Sequence, residues 1–228
     1  MPSLAEENYL KAVYKLCRKS RTGASTNAIA DQLDSKASSV TDMVKKLAEK
    51  KLVNYKKYQG VTLTNEGQKA ALVTLRKHRL WEVFLVEKLN FKWDQVHEMA
   101  EELEHINSDE LINRLDAFLD FPKYDPHGDP IPDKNGNIQH HKDTTIADLA
   151  IGETGIILGV KEHNSSFLQY LEKHNMVIGT EIKVSEKFDF DHSIEITINE
   201  KTMTVSNQVA VNLFINKLKQ IKDEKDFI

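Results

Sequence analysis

The stretch IADQLDSKASSVTDMVKKL, Ile29 to Leu47, decides the fold. Ala30 is small enough for two helices to cross at it, Asp34 and Ser35 make a short polar turn, and Val40, Met43, Val44 and Leu47 then recur at helical spacing. This is the pattern of a helix-turn-helix, with one helix from Thr26 to Leu33 and a second that carries short polar and basic side chains. Upstream, Ser3 and Glu6 form a capping box, and Leu4, Leu10, Val13, Tyr14 and Cys17 predict a helix from Leu4 to Lys19, broken at Arg21 to Ser25. Downstream, Val53 to Tyr58 and Val61 to Thr64 flank Gln59 and Gly60 as a two-stranded hairpin. Three helices and a hairpin make a winged helix.

Charge suggests what the module meets. The chain has a net charge of -4, yet seven lysines between Lys36 and Tyr58 stand against only Asp42 and Glu49, a local +5 that leaves -9 elsewhere. A basic module on an acidic body suits double-stranded DNA. Lys36, Ser38, Ser39 and Thr41 fall in the first turns of the third helix, within reach of base edges and phosphates, and Lys45 and Lys46 are placed for phosphate. In the wing, Lys56, Lys57 and Tyr58 are expected to follow the backbone, which gives affinity and salt dependence but little sequence choice. The alternative is a solvated lysine-rich helix in another kind of three-helix domain; the turn and wing favour DNA.

The rest of the 228 residues allows two or three domains. From Asn65 to Leu119 the apolar spacing is again helical, and FPKYDPHGDPIPDKNGNIQHHKD then holds four of the five prolines and cannot continue a helix. Short β-rich runs follow at Gly155–Val160, Glu181–Val184, Ile194–Ile198 and Thr202–Val205, with a helix at Phe167–His174. The expected fold is mainly α with a small β-barrel domain. Its divisions are a winged helix-turn-helix at 1–65, a helical domain at 66–122, a proline-rich linker at 123–143 and the β domain at 144–228. No apolar run is long enough for a membrane span and the start lacks a signal-peptide pattern, so the expected location is the cytoplasm. Cys17 is the only cysteine, which excludes an intramolecular disulfide and a cysteine-cluster metal site.

Histidines and carboxylates recur on helical faces. His78 and Glu82 are one turn apart, and His97, Glu101, Glu104 and His105 share one stripe, separate from the apolar stripe of Val96, Met99, Ala100, Leu103 and Ile106. Imidazole with carboxylate suits Mn²⁺, Fe²⁺ and similar divalent ions, and the lack of thiolate disfavours a structural zinc cage. A hydrated acidic face with incidental histidines is the competing reading. Glu102 and His105 match one half of a carboxylate di-iron motif, but no other histidine has a glutamate three residues before it, and no nucleophile elbow or phosphate-binding glycine loop occurs. Catalysis is not expected.

SSVTDMVKKL, YQGVTLTNEG, RKHRLWEVFL, VHEMAEELEHINSDEL and DPHGDPIP together resemble the diphtheria-toxin-repressor family, particularly its manganese-responsive branch. The resemblance implies a homodimeric, metal-activated repressor of metal-uptake genes that binds palindromic operators, with a helical dimerisation domain and a C-terminal SH3-like domain related to ferrous-iron-transport accessory domains. It implies one metal site at Asn8, Glu101, Glu104 and His105. A second would use His78, Glu82 and His97, with Asp125, His127 and a residue near Glu162. Glu101 stands where iron-responsive members carry cysteine, which points to Mn(II), with Fe(II) as the alternative. Asn8 stands where the family usually has aspartate or methionine, and Asp125 where streptococcal members have cysteine. His140, His141, His163, His174 and His192 are expected at the surface. A metal-independent winged-helix regulator sensing a small molecule, and a metalloenzyme with a nucleic-acid-binding domain, are the alternatives.

Overall fold

A computed structural model describes residues 2–19, 23–56, 60–139 and 144–218. The chain divides into two compact units, the first comprising Met1–Trp81, Glu98–Lys123 and Ile131–Gln139, the second Glu82–His97, Tyr124–Pro130 and His140–Ile228.

In the first unit, α1 (Leu4–Lys19), α2 (Thr26–Gln32) and α3 (Ala37–Glu49) precede the antiparallel strands β1 (Val53–Lys56) and β2 (Gly60–Leu63). The expected capping box is present: the Ser3 amide donates to Glu6 Oε2 at 3.0 Å and the Glu6 amide to Ser3 Oγ at 3.4 Å. Ser25 caps α2 by accepting from the Ala28 amide, and a left-handed Asp34 turns the chain so that the Ser35 amide reaches the Ala30 carbonyl. Val40, Val44 and Leu47 bury one face of α3 against Leu10 and Val13 of α1, Ile29 of α2 and Val53 and Val61 of the wing. Leu10 and Leu47 are fully buried, each stabilising the fold by about 1.5–3 kcal/mol, and Leu47→Ala would cost about 2–5 kcal/mol.

The long helix α4 (Asn65–Leu89) follows, and Ala71, Leu72 and Leu75 join the same core. Asn90, with φ of 59°, ends it. Helix α5 (Val96–Leu103) and helix α6 (Asp109–Phe118, capped by Ser108) complete the helical set. The sequence places Glu104 and His105 on the α5 helix, but there the backbone tightens: the Ile106 amide bonds to the Leu103 carbonyl three residues back, so both residues lie in a turn. Helix α6 buries Ile112 and Leu115 and exposes Leu111, and Phe118 and Phe121 are 63% and 57% exposed.

Between α6 and residue 139 there is no helix; Asp125 and Asp133 each anchor a turn by accepting two backbone amides. The second unit carries strands β3 (Thr154–Val160), β4 (Glu181–Lys187), β5 (Ile194–Ile198), β6 (Lys201–Val205) and β7 (Leu213–Lys217) in one antiparallel sheet of order β6-β5-β4-β3-β7, with α7 (Ser165–Lys173) between β3 and β4 and α8 (Asn207–Ala210) before β7. Ile157, Ile182, Val184 and Ile196 from the sheet and Leu168 and Leu171 from α7 form its core. Bulges between Ile157 and Gly159 and between Val184 and Glu186 shift the register. Helix α7 starts two residues before its expected position because Asn164 Oδ1 accepts the Phe167 amide.

Candidate metal centres and nucleic-acid interface

In the first unit, charged residues gather where α1 meets the α5 segment. Glu104 is fully buried and Glu101 partly so. Between them sits Lys11 of α1, whose Nζ donates at 2.8 Å to both oxygens of Glu101 and at 2.5 and 2.7 Å to those of Glu104. Burial would raise the Glu101 pKa, but the charge and hydrogen bonds of Lys11, helped by His78 and Lys15, hold it below the ordinary carboxylate range. His78, which the resemblance groups with Glu82 and His97, has its Nδ1 2.7 Å from Glu104 Oε2. His105 Nδ1 is 2.7 Å from Glu7 Oε2, and its Nε2 is 3.8 Å from Glu104. Asn8 Oδ1 is buried with no hydrogen-bond partner. Glu101, Glu104 and His105 are thus neighbours, and Lys11 and Glu7 stand among them. The four-residue spacing of Glu7 and Lys11 puts both on one face of α1 beside Asn8.

The second unit holds a different cluster. Glu82 on α4 and Asp125 and His127 from the Tyr124–Pro130 turn are all buried, and a ligand atom from each lies within 4.8 Å of the others. The turn is closed by pairing of Tyr124 with Pro130, and Asp125 Oδ1 accepts the amides of His127 and Asp129 at 2.8 and 2.9 Å. At Gly128 φ is +86°, and a Cβ there would lie 2.1 Å from the Leu158 carbonyl oxygen. His127 Nε2 is 2.8 Å from the Trp93 carbonyl; a carbonyl only accepts, so this nitrogen carries the proton. Nδ1 has no hydrogen-bond partner and faces Glu82 Oε1 at 3.8 Å and Asp125 Oδ1 at 4.0 Å.

A buried imidazole nitrogen aimed at two buried carboxylates, its opposite nitrogen fixed by a carbonyl, fits a divalent transition ion well: the donors are of the right kind and the ring is already oriented. Burial disfavours a charged His127, but Glu82 and Asp125 overcome it and raise its pKa to about 9. His97 Nδ1 lies 3.3 Å from Glu82 Oε1, at the edge of this group. Glu162 is exposed and accepts the amides of His163 and Asn164; the structure does not bring it into the group. His163, expected at the surface, is half-buried and stacks on His127 with centroids 4.9 Å apart. Trp93 and His163 escaped the sequence reading because one contributes through its backbone and the other through ring packing.

On the winged module, Lys36, Ser38 and Ser39 are exposed at the start of α3, and no side chain caps its first turn. The free amides there and these short side chains can meet phosphates and bases. Thr41 donates its hydroxyl to the Ala37 carbonyl at 2.9 Å. Lys45 is 59% exposed, with Asp42 3.8 Å away. Lys46 is half-exposed, but with Lys50 it pairs to the buried Glu6, at 3.1 and 2.8 Å, tying α3 to α1. Lys56 is exposed; Lys57, Tyr58, His140 and His141 lie outside the described residues.

The chain is similar in sequence and fold to known proteins. Residues 3–61 match the family described as iron dependent repressor, N-terminal DNA binding domain; residues 64–133 match the iron dependent repressor metal binding and dimerisation domain; and residues 144–217 match the FeoA domain. The chain is 39% identical over 114 residues to an uncharacterised HTH-type transcriptional regulator of Methanocaldococcus jannaschii, covering 50% of this chain and 91% of that one. It is 34% identical over 125 residues to the HTH-type transcriptional regulator MntR of Oceanobacillus iheyensis, covering 55% and 84%. A solved manganese-dependent transcriptional repressor in complex with manganese superposes with a TM-score of 0.85 at 33% identity, over 93% of this chain and all of that one.

The chain belongs to the iron-dependent repressor family, that of the diphtheria toxin repressor, whose members are metal-dependent DNA-binding repressors of transcription and not enzymes. Within it, the chain falls with the manganese-responsive branch. Its five-stranded sheet is the family's C-terminal FeoA, SH3-like domain. Among the described residues, no helix is long and apolar enough to cross a membrane.

Proposed function

We propose that this chain is a homodimeric repressor that binds palindromic operators of metal-uptake genes when Mn²⁺, or alternatively Fe²⁺, is bound by Glu82, Asp125 and His127. The observation that carries this reading is the geometry of His127: its Nε2–H is committed to the Trp93 carbonyl, and its buried Nδ1 faces two carboxylates. Bound metal supplies the positive charge that lets those two carboxylates share one small volume. In its absence that charge is a proton on His127, which the raised pKa makes available near neutral pH. Carboxylate and imidazole without thiolate favour Mn²⁺ or Fe²⁺.

The exposed apolar residues Leu111, Phe118 and Phe121 support a dimer, since an apolar surface of that kind is commonly covered by a second subunit. A two-fold dimer requires a palindromic site with half-sites about 34–36 Å apart, or a multiple of that. By linkage, operator DNA must tighten metal binding by the factor that metal tightens DNA binding. The reading is tested by calorimetric titration of Mn²⁺, Fe²⁺ and Zn²⁺ into wild type and Asp125→Ala. Loss of high-affinity binding in the variant supports it, and an unchanged isotherm contradicts it.

A further inference from the structure

The cluster between α1 and the α5 segment does not suit a divalent ion, because its centre is taken. Lys11 Nζ stands at hydrogen-bonding distance from all four oxygens of Glu101 and Glu104. An ion serving those carboxylates would need oxygens at about 2.0–2.2 Å, in the same small volume. With Lys11 in place, the ion would lie beside a positive charge in a site where Lys11 is only 5% exposed and Glu104 is fully buried, so like-charge repulsion would be weakly screened. Moving the ammonium away would break its contacts with both carboxylates.

We propose that Lys11 is a tethered cation standing where a metal ion would otherwise join α1 to the carboxylates, so that the winged module is locked to the α5 segment whether or not metal is present. The +1 charge and hydrogen bonds of Lys11 do what an ion would do: they neutralise two carboxylates that would otherwise repel each other, and they link α1 to residues 101–104. The remaining partners fit this role. His78 Nδ1 lies 2.7 Å from Glu104 Oε2 and His105 Nδ1 2.7 Å from Glu7 Oε2, so both imidazoles beside Lys11 face protein carboxylates, while Asn8 Oδ1 is left without a hydrogen bond. If Glu82, Asp125 and His127 hold the activating ion, as proposed above, the chain takes it up at that centre alone.

Equilibrium dialysis with Mn²⁺ on the full-length protein tests this by counting ions per chain. Wild type should bind one ion, Lys11→Ala two, Asp125→Ala none, and the double variant one, held by the vacated carboxylates. Glu104→Gln in the otherwise wild-type chain should leave the count at one, a result that does not depend on any Lys11 variant folding. A wild-type count of two that falls to one in Glu104→Gln would overturn the proposal, as would a Lys11→Ala count equal to that of wild type. Should Asp125→Ala keep its ion, the Glu82 centre is misassigned; the effect of Lys11 is still read as the difference between each variant and its parent. Hydrogen exchange gives a second readout. In chelator the amides of Glu7 to Val13 should stay protected in wild type and lose protection in Lys11→Ala, whereas protection in wild type that appears only on adding Mn²⁺ would contradict the lock.

Discussion

His127 donates its Nε2–H to the backbone carbonyl of Trp93 at 2.8 Å, which leaves Nδ1 as the only ring nitrogen able to meet the carboxylates of Glu82 and Asp125. A ring turned over would present its proton to the wrong side. The backbone of residue 93 thus orients a side chain distant from it in sequence, a common arrangement for a metal-binding histidine.

The pH dependence of metal binding follows from this pairing. The His127 pKa is raised from 6.5 to about 9 by Glu82 and Asp125, so in the metal-free protein the ring holds a proton at pH 7 that metal must displace. Mn²⁺ affinity should rise with pH and level off above about pH 9, with roughly one proton released per ion at pH 7. The stability of the metal-free fold has the opposite sign: the contribution of charged His127 is fully present below pH 6.5 and is lost as pH rises through about 9. Titration calorimetry in buffers of different ionisation enthalpy measures the proton release directly, and a release near zero at pH 7 would refute the pairing.

The Tyr124–Pro130 turn depends on Gly128. A side chain there faces both a positive φ, costing about 1–3 kcal/mol, and the Leu158 carbonyl at 2.1 Å. Gly128→Ala is therefore expected to shift Asp125 and His127 and to weaken Mn²⁺ binding at least tenfold, although neither ligand is altered. Binding isotherms alongside thermal melts check this; wild-type affinity in the folded variant would show that the turn does not set the site.

On the DNA side, the exposed lysines and Lys46 should behave differently. Lys36→Ala and Lys45→Ala should each lower the salt dependence of operator binding by about one phosphate contact. Lys46→Ala removes a partner of buried Glu6 and should lower the melting temperature as well. Fluorescence anisotropy across a salt series, paired with melts, separates the two effects. Equal slopes for all the proteins would mean that α3 does not lie along the backbone.

Glu6 itself predicts acid sensitivity. Burial pushes its pKa up, but hydrogen bonds from Lys50 and Ser3 and the charge of Lys46 overcome this and hold it at about 2. A depressed carboxylate stabilises the fold above the ordinary value of 4.5, and that contribution is lost as pH falls from there towards 2. Glu6→Gln should flatten the fall in melting temperature over that window and lower stability at pH 7; parallel curves for the two proteins would argue against the ion pair.

Much of this architecture was legible because local signals agree with tertiary packing. Ser3, Glu6 and the Leu10, Val13, Tyr14 spacing fix α1, and the polar turn at Asp34 and Ser35 fixes the crossing of α2 and α3. Strand β7 went unread because LFINK is short and is defined by pairing with β3, a contact across the chain. At the sites, residue types that commonly bind metal stood out, whereas Lys11 did not. A lysine on a helix is ordinarily solvated, and only the fold shows that its ammonium is buried between two carboxylates. Glu162 was expected near the second site, but it turns to the amides that precede α7.

The account stands or falls on metal control of DNA binding through the Glu82, Asp125 and His127 centre. The most direct measurement is affinity for a palindromic operator duplex at fixed salt, first in chelator and then with Mn²⁺ restored, for wild type and His127→Ala. Wild type should lose specific binding in chelator and regain it with Mn²⁺, while His127→Ala stays weak in both. Equal affinity of wild type with and without metal, or full recovery by the variant, would contradict it.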